Sequence, residues 1–174
     1  PGAFYRGMRL MGIDGTVMDA PDSDANQIFG RSSGSRGDAA FPQIRKVSLV
    51  ELGTRVETAF VLGGWSDSEQ KLVPALWDAI PDDALLIEDR GFFSFASWKS
   101  LYLERKLLVR VNSAMVLRPL ERLSDGSYLA KVYATTYDRS KDRNGILVRV
   151  IEYTIDDPQR TGHGEVHRLM TNLL

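Results

Sequence analysis

A chain of 174 residues with 43% apolar composition and a net charge of −1 is long enough for one domain with a core, or for one domain carrying a sizeable insertion. Its near-neutral charge excludes a polycation that holds nucleic acid by bulk electrostatics alone. It has no cysteine and two histidines, which excludes disulfides and thiolate metal sites and leaves carboxylates, the ligands of hard metal ions, as the main metal-binding groups. No segment reaches the roughly 18 apolar residues of a membrane span, and no charged-then-apolar leader opens the sequence, so a soluble, cytoplasmic chain without a membrane partner is expected.

Met8 to Asp14 reads as a first strand, an apolar run with Asp14 at its polar end. A long polar stretch follows to about Pro42, and within it Gly30 to Gly37 has the composition of a functional or mobile loop whose Arg31 and Arg36 could approach a phosphate backbone. The tripeptide Arg36-Gly37-Asp38 also spells an integrin motif, for which an intracellular chain has no partner. Val47–Leu52 and Arg55–Leu62 read as a hairpin, with Val56, Thr58, Phe60 and Leu62 forming one buried face. Ser66 to Ile80 places Leu72, Val73, Leu76, Trp77 and Ile80 at helical spacing behind Ser66, Asp67 and Ser68 as caps.

Pro81-Asp82-Asp83 turns into a buried strand Ala84–Glu88, with Asp89 at its polar end. A second helix is expected from about Ser94 to Lys106, and another strand over Leu107–Val111. Strand, hairpin, helix, strand, helix, strand is the order of a mixed α/β sheet. After Asn112 the helical period disappears. Asp125-Gly126 is a two-residue hairpin signal between Leu120–Leu123 and Tyr128–Tyr133, and Asn144-Gly145 marks a turn before Ile146–Ile155. The expected organisation is a core over 1–111 and a β-rich insertion with a return toward the core over 112–174.

Charge is unevenly spread. Between Arg105 and Arg149 ten basic residues face four acidic ones, whereas Pro1 to Gly30 holds Asp14, Asp19, Asp22 and Asp24 against Arg6 and Arg9. A basic region paired with an acidic, metal-attracting one suits an enzyme that grips a phosphate backbone while cutting it; an ordinary solvated surface has the same counts. Asp14 and Asp89, if their strands are adjacent, would be two hard oxygen ligands for Mg²⁺. Asp at such positions also commonly caps the following turn.

Asp14-Gly15-Thr16 suggests the haloacid dehalogenase phosphatases, but their nucleophilic aspartate would fall at Gly12, and without it no phospho-aspartyl intermediate forms. A more specific likeness runs over essentially the whole chain. Ile13-Asp14-Gly15-Thr16, Phe29-Gly30-Arg31, Ala40-Phe41-Pro42-Gln43, Glu51-Leu52-Gly53-Thr54-Arg55, Asp89-Arg90-Gly91-Phe92-Phe93-Ser94-Phe95 and Val148-Arg149-Val150-Ile151-Glu152-Tyr153 together resemble the DDE transposases of the IS-four insertion-sequence family. The resemblance implies an RNase H-like fold with the first aspartate on the first strand and the second after the fourth, hence Asp14 and Asp89. It implies two Mg²⁺ or Mn²⁺ ions, cleavage of DNA at transposon ends with transfer of the 3′-hydroxyl to a target, a dimer on paired ends, and a bacterial-type, nucleoid-associated location. The family's β-rich insertion contacts DNA, which makes Arg118, Arg122, Lys131, Arg139, Lys141 and Arg143 candidate DNA-binding residues beside Arg31, Arg36 and Arg90.

One element of the pattern is missing. The family's catalytic glutamate belongs to a helical Tyr-x-x-Arg-x-x-x-Glu, and neither Glu104, Glu152 nor Glu165 matches it. The expectation is therefore a catalytic-core fragment, truncated before the final catalytic helix, with two of three metal ligands and no transposition of its own. The alternative is a non-catalytic remnant that folds and binds DNA. His163 and His167 flank Glu165 at a chelating interval, but Gly162 and Gly164 disfavour the helix that would present them together. Glu88 is expected on the face opposite Asp89, outside the metal site. Arg90 suits either a scissile phosphate or a neighbouring carboxylate.

Overall fold

A computed structural model describes residues 2–35 and 37–174. In the first of two compact units, Pro1–Ala84, strand β1 (Phe4–Tyr5) turns back through Arg6 and Gly7, both at positive φ, onto β2 (Met8–Asp19). The strand expected to end at Asp14 runs five residues further because Thr16, Val17 and Met18 keep a paired neighbour to the end. A 3-10 segment (Asp24–Phe29) and a small ribbon, β3 (Ser33–Gly34) with β4 (Gly37–Asp38), fill the polar stretch. Long strands β5 (Gln43–Glu51) and β6 (Val56–Gly64) then form the expected antiparallel hairpin, and β5 also pairs with β2 from Met11↔Glu51 to Asp19↔Gln43.

The hairpin's buried face is not the expected one. Phe60 is 56% exposed and Leu62 45%, while Ala59 and Val61 are partly covered. A bulge opposite Leu49 and Val50 leaves Thr58 without a register partner, so Val56 falls on the face opposite Phe60 and Leu62. The covering segment lies on the other face, the one carrying Ile13, Val47 and Leu49, where Gly63 leaves room for Leu72. That segment is also not the continuous helix expected. It is α1 (Glu69–Leu72), capped by Ser68 on the Lys71 amide, followed by a 3-10 helix (Val73–Ala79) in which Pro74 has no N–H to continue the α-helical ladder.

Gly64 marks a close backbone approach. A Cβ there would meet the Phe29 carbonyl oxygen at 2.7 Å, the same oxygen that accepts the Trp65 N–H at 2.7 Å. Gly64→Ala should therefore cost about 1–3 kcal/mol, because backbone and not a flexible side-chain end must move. An unchanged urea midpoint would show that the Asp24–Phe29 segment yields freely.

The second unit, Leu85–Leu174, opens on β7 (Ala84–Glu88), at the expected bounds, parallel to β8 (Lys106–Arg110). Between them lies α2 (Phe95–Leu101), capped by the Ser94 hydroxyl on the Ser97 amide; it stops well short of Lys106. β9 (Glu121–Arg122) and β10 (Tyr128–Val132) flank the Asp125-Gly126 turn, with Gly126 at φ 86°. The stretch after Asn112 is not purely β: Thr135 caps a one-turn helix, α3 (Thr136–Ser140), before β11 (Ile146–Thr154). β12 (Val166–Thr171) pairs with β8 on one side and β11 on the other, giving the order β7-β8-β12-β11-β10-β9. The expected division at 111/112 thus lies within the second unit.

Apolar alternation builds this unit's core. Leu107, Val109, Ala130, Val148, Val150 and Met170 are all at most 2% exposed, with Trp98 and Leu101 of α2 also buried. The molecule is mixed α/β, as expected from element order. No helix of the described residues is long and apolar enough to cross a membrane.

Candidate functional site

Asp14 lies within β2 in the first unit, its side chain exposed and one oxygen accepting the Gly15 amide at 2.9 Å. Its cross-strand neighbour is Ser48, whose hydroxyl donates to Glu57 Oε2 at 2.6 Å. Lys46 reaches the same oxygen at 2.6 Å and sits 4.9 Å from the Phe60 ring centroid. The Lys46 ammonium and the Ser48 hydroxyl hold the Glu57 carboxyl below its ordinary range. Glu57's charge is thus matched on the spot, whereas Asp14 has no cation partner among the described residues.

In the second unit, Asp89 is the first residue past β7, where its carbonyl accepts the Phe92 N–H at 3.0 Å and its carboxylate projects into solvent, 3.9 Å from Arg110 Nη1. Glu88, one residue earlier, is 9% exposed, and burial pushes its carboxyl up to about 7. Both aspartates are hard oxygen donors suited to Mg²⁺ or Mn²⁺. Among the described residues, however, no group of three His, Asp or Glu side chains could hold a metal ion, so single carboxylates and not a finished cage are present.

The two histidines are engaged elsewhere. His163 Nδ1 lies 2.9 Å from the Ile155 carbonyl; His167, buried in β12, has Nε2 3.2 Å from the Gly162 carbonyl and its ring tilted against Tyr153. No helix presents them together.

The basic residues divide into groups. Arg31 is committed to its own loop, reaching Asp22 at 2.6 Å and the carbonyls of Ala39 and Ala40; Arg36 lies outside the described residues. Arg118, Lys131 and Arg139 line one cleft of about 140 Å³ with Val116, Leu120 and Tyr133. There Lys131 pairs with Asp142 at 2.7 Å, and that carboxylate raises the ammonium above its ordinary range. Arg122 lies over the Tyr128 ring, and Lys141 and Arg143 are exposed just past α3. Arg90 is exposed beside Asp89 and lines a second concavity with Arg110 and Arg168. Arg110 and Arg168 come to this concavity through β12 pairing with β8, and β12, interrupted by His167 and Arg168, carries no local strand signal.

Fold and site together define a mixed α/β protein with exposed acidic strand positions and arginine-lined concavities on its second unit. Comparison with known proteins makes this more particular. The chain is 26% identical over 145 residues to "Transposase InsG for insertion sequence element IS4" of Escherichia coli K12, covering 81% of this chain and 33% of that protein. It is 28% identical over 92 residues to "Putative transposase InsZ" of the same strain, covering 52% of this chain and 31% of that protein. These relatives bear out the resemblance to IS-four transposases carried by the motifs. The chain spans about a third of the length of the curated relatives it matches. No family model matches it. A solved structure, the endonuclease V of Streptomyces avermitilis, aligns over 97% of this chain and 67% of its own at 14% identity with a TM-score of 0.36, too low to equate the folds.

Proposed function

We propose that this chain is a catalytic-core segment of a DNA transposase with an RNase H-like sheet, whose metal ligands include Asp14 and Asp89. The observation that carries this reading is the likeness to transposase InsG over 81% of the chain. It is supported by strand placement: leaving aside the two-residue strands β1, β3 and β4, Asp14 lies on the first strand, β2, and Asp89 directly follows the fourth, β7. Exposed carboxylates of this kind would hold Mg²⁺ or Mn²⁺, and such an ion activates the attacking oxygen and stabilises the leaving one in phosphodiester chemistry. The protein's own part is to fix the strand to be cut. Arg90, Arg118, Arg122, Arg139, Lys141 and Arg143 neutralise backbone phosphates, and the clefts beside Tyr133 give the polynucleotide a concave surface.

Two titrations test this. A labelled DNA duplex should bind the chain with an affinity that falls steeply as salt rises, and Mn²⁺ followed by electron paramagnetic resonance should bind at least about tenfold more weakly to Asp14→Asn or Asp89→Asn, since losing a ligand costs no less than losing its outer-sphere partner. Absence of salt-dependent DNA binding overturns the transposase reading. Unchanged Mn²⁺ isotherms in both variants remove the site assignment.

A further inference from the structure

The concavity beside Asp89 is the least accounted-for feature of the second unit. Its volume is about 80 Å³ and its lining includes Arg90, Arg110, Ser113, Glu165, His167 and Arg168. Pockets for organic ligands run from roughly 300 Å³ upward, while a water occupies about 30 Å³. The space therefore suits a small oxyanion. Three arginines and one glutamate among its lining residues make it cationic.

The three arginines are held in different ways. Arg168 is fixed by its own fold, its Nη2 donating to the carbonyls of Asn112 at 3.2 Å and Ser113 at 2.5 Å. The Val111 N–H donates to the Arg168 carbonyl at 3.0 Å, and Leu169 stands opposite Arg110 in the β8–β12 register, so the Arg110 and Arg168 side chains leave opposite faces and Arg168 serves to hold the end of β8 in place. Arg110 keeps unspent donors: its nearest carboxylate, Asp89, is 3.9 Å away, beyond hydrogen-bond reach. Arg90 has no carboxylate partner among the described residues and enters from the turn after β7. The planar forks of Arg90 and Arg110 beside one small space match the non-bridging oxygens of a phosphate.

We propose that Arg90 and Arg110 form a seat for one backbone phosphate of DNA immediately beside Asp89, so that the neighbouring phosphodiester is presented to that carboxylate. This rests on the transposase reading and adds one residue, Arg110, and a position along the strand to it. The shared chemistry is a phosphate oxyanion, and free phosphate is the other source to be distinguished.

The experiment measures binding of a labelled duplex by fluorescence anisotropy across a salt series. Arg110→Gln and Arg90→Gln should each weaken binding and lower the slope of log affinity against log salt by about one, whereas Arg110→Lys, which keeps the charge, should retain the slope. Inorganic phosphate replacing chloride at equal ionic strength should compete only weakly; tight competition that disappears in Arg110→Gln would assign the seat to free phosphate and overturn the DNA proposal. If the unsubstituted chain binds duplex, and Arg139→Gln in the Tyr133 cleft lowers the slope while Arg110→Gln and Arg90→Gln leave it unchanged, the seat is wrong and the transposase reading stands. If the unsubstituted chain binds no duplex, both fall.

Discussion

Replacing Glu88 by Gln should make the protein more stable at pH 8, by up to roughly 3 kcal/mol, while changing little at pH 4. Glu88 ends β7 with 9% of its surface exposed, and burial alone moves its carboxyl from an ordinary 4.5 to about 7. The folded state therefore binds the proton more tightly than the unfolded chain. Below about pH 4.5 the group is protonated in both states and its contribution is fully present; as the pH rises toward and through 7 the unfolded chain ionises first, and the folded state must then accept a buried charge. Stability is lost across that window, and a shift of this size at about 1.4 kcal/mol per unit sets the ceiling. Glutamine has the same shape and no proton to lose, so the difference between the two proteins should open between pH 4.5 and 7 and then level off. Urea unfolding followed by circular dichroism in chelated buffer reads it directly. Parallel stability profiles for the two proteins across this range would show that Glu88 reaches water in the native state.

The strong local signals in the sequence survived into the structure. β7 keeps its expected bounds because its apolar run is closed off by Pro81-Asp82-Asp83 on one side and the turn at Asp89 on the other. The Asp125-Gly126 turn forms because Gly126 can take φ 86° without cost. The contrast in exposure between Glu88 and Asp89 also follows from strand alternation. Features that depend on distant partners were not legible. Phe60 and Leu62 look like a core face until the bulge opposite Leu49 and Val50 changes the phase of β6, and nothing within β6 itself announces that bulge. β12 carries His167 and Arg168 among its apolar residues and is identifiable as a strand only through β8, some sixty residues earlier, and β11. The arginine seat inherits this limit, since Arg90 and Arg110 are brought together by the pairing of β7 with β8 and by no local motif.

The same long-range pairing makes Asn172 the polar side chain whose loss should be felt most. It follows β12 directly, and all of its amide group is used: Oδ1 accepts the Leu107 N–H at 2.8 Å, while Nδ2 donates to the carbonyls of Tyr102 and Arg105, each at 2.7 Å. These are the groups that α2 leaves unpaired where it ends early, and that β8 leaves unpaired where it begins. Thr171 adds a buried bond from its hydroxyl to the Leu107 carbonyl at 2.6 Å. Asn172→Ala deletes three bonds worth about 1 kcal/mol each and strands one donor and two acceptors, so a loss of about 2–4 kcal/mol is expected. Asn172→Asp should be at least as damaging at neutral pH, because it keeps an acceptor for Leu107 but turns an anion toward two carbonyl oxygens. Part of that loss should return in acid, where a protonated carboxyl can donate again. A Leu→Ala change in the core would show no such recovery, which separates the hydrogen-bond account from simple loosening. An Asn172→Ala midpoint within about 0.5 kcal/mol of the parent would mean that water replaces the clamp freely. β8 carries Arg110 to its place 3.9 Å from Asp89, so the clamp that starts this strand also sets the position of a residue in the proposed phosphate seat. Asn172→Ala should therefore weaken duplex binding as well as stability, although Asn172 itself lies outside the lining of that seat.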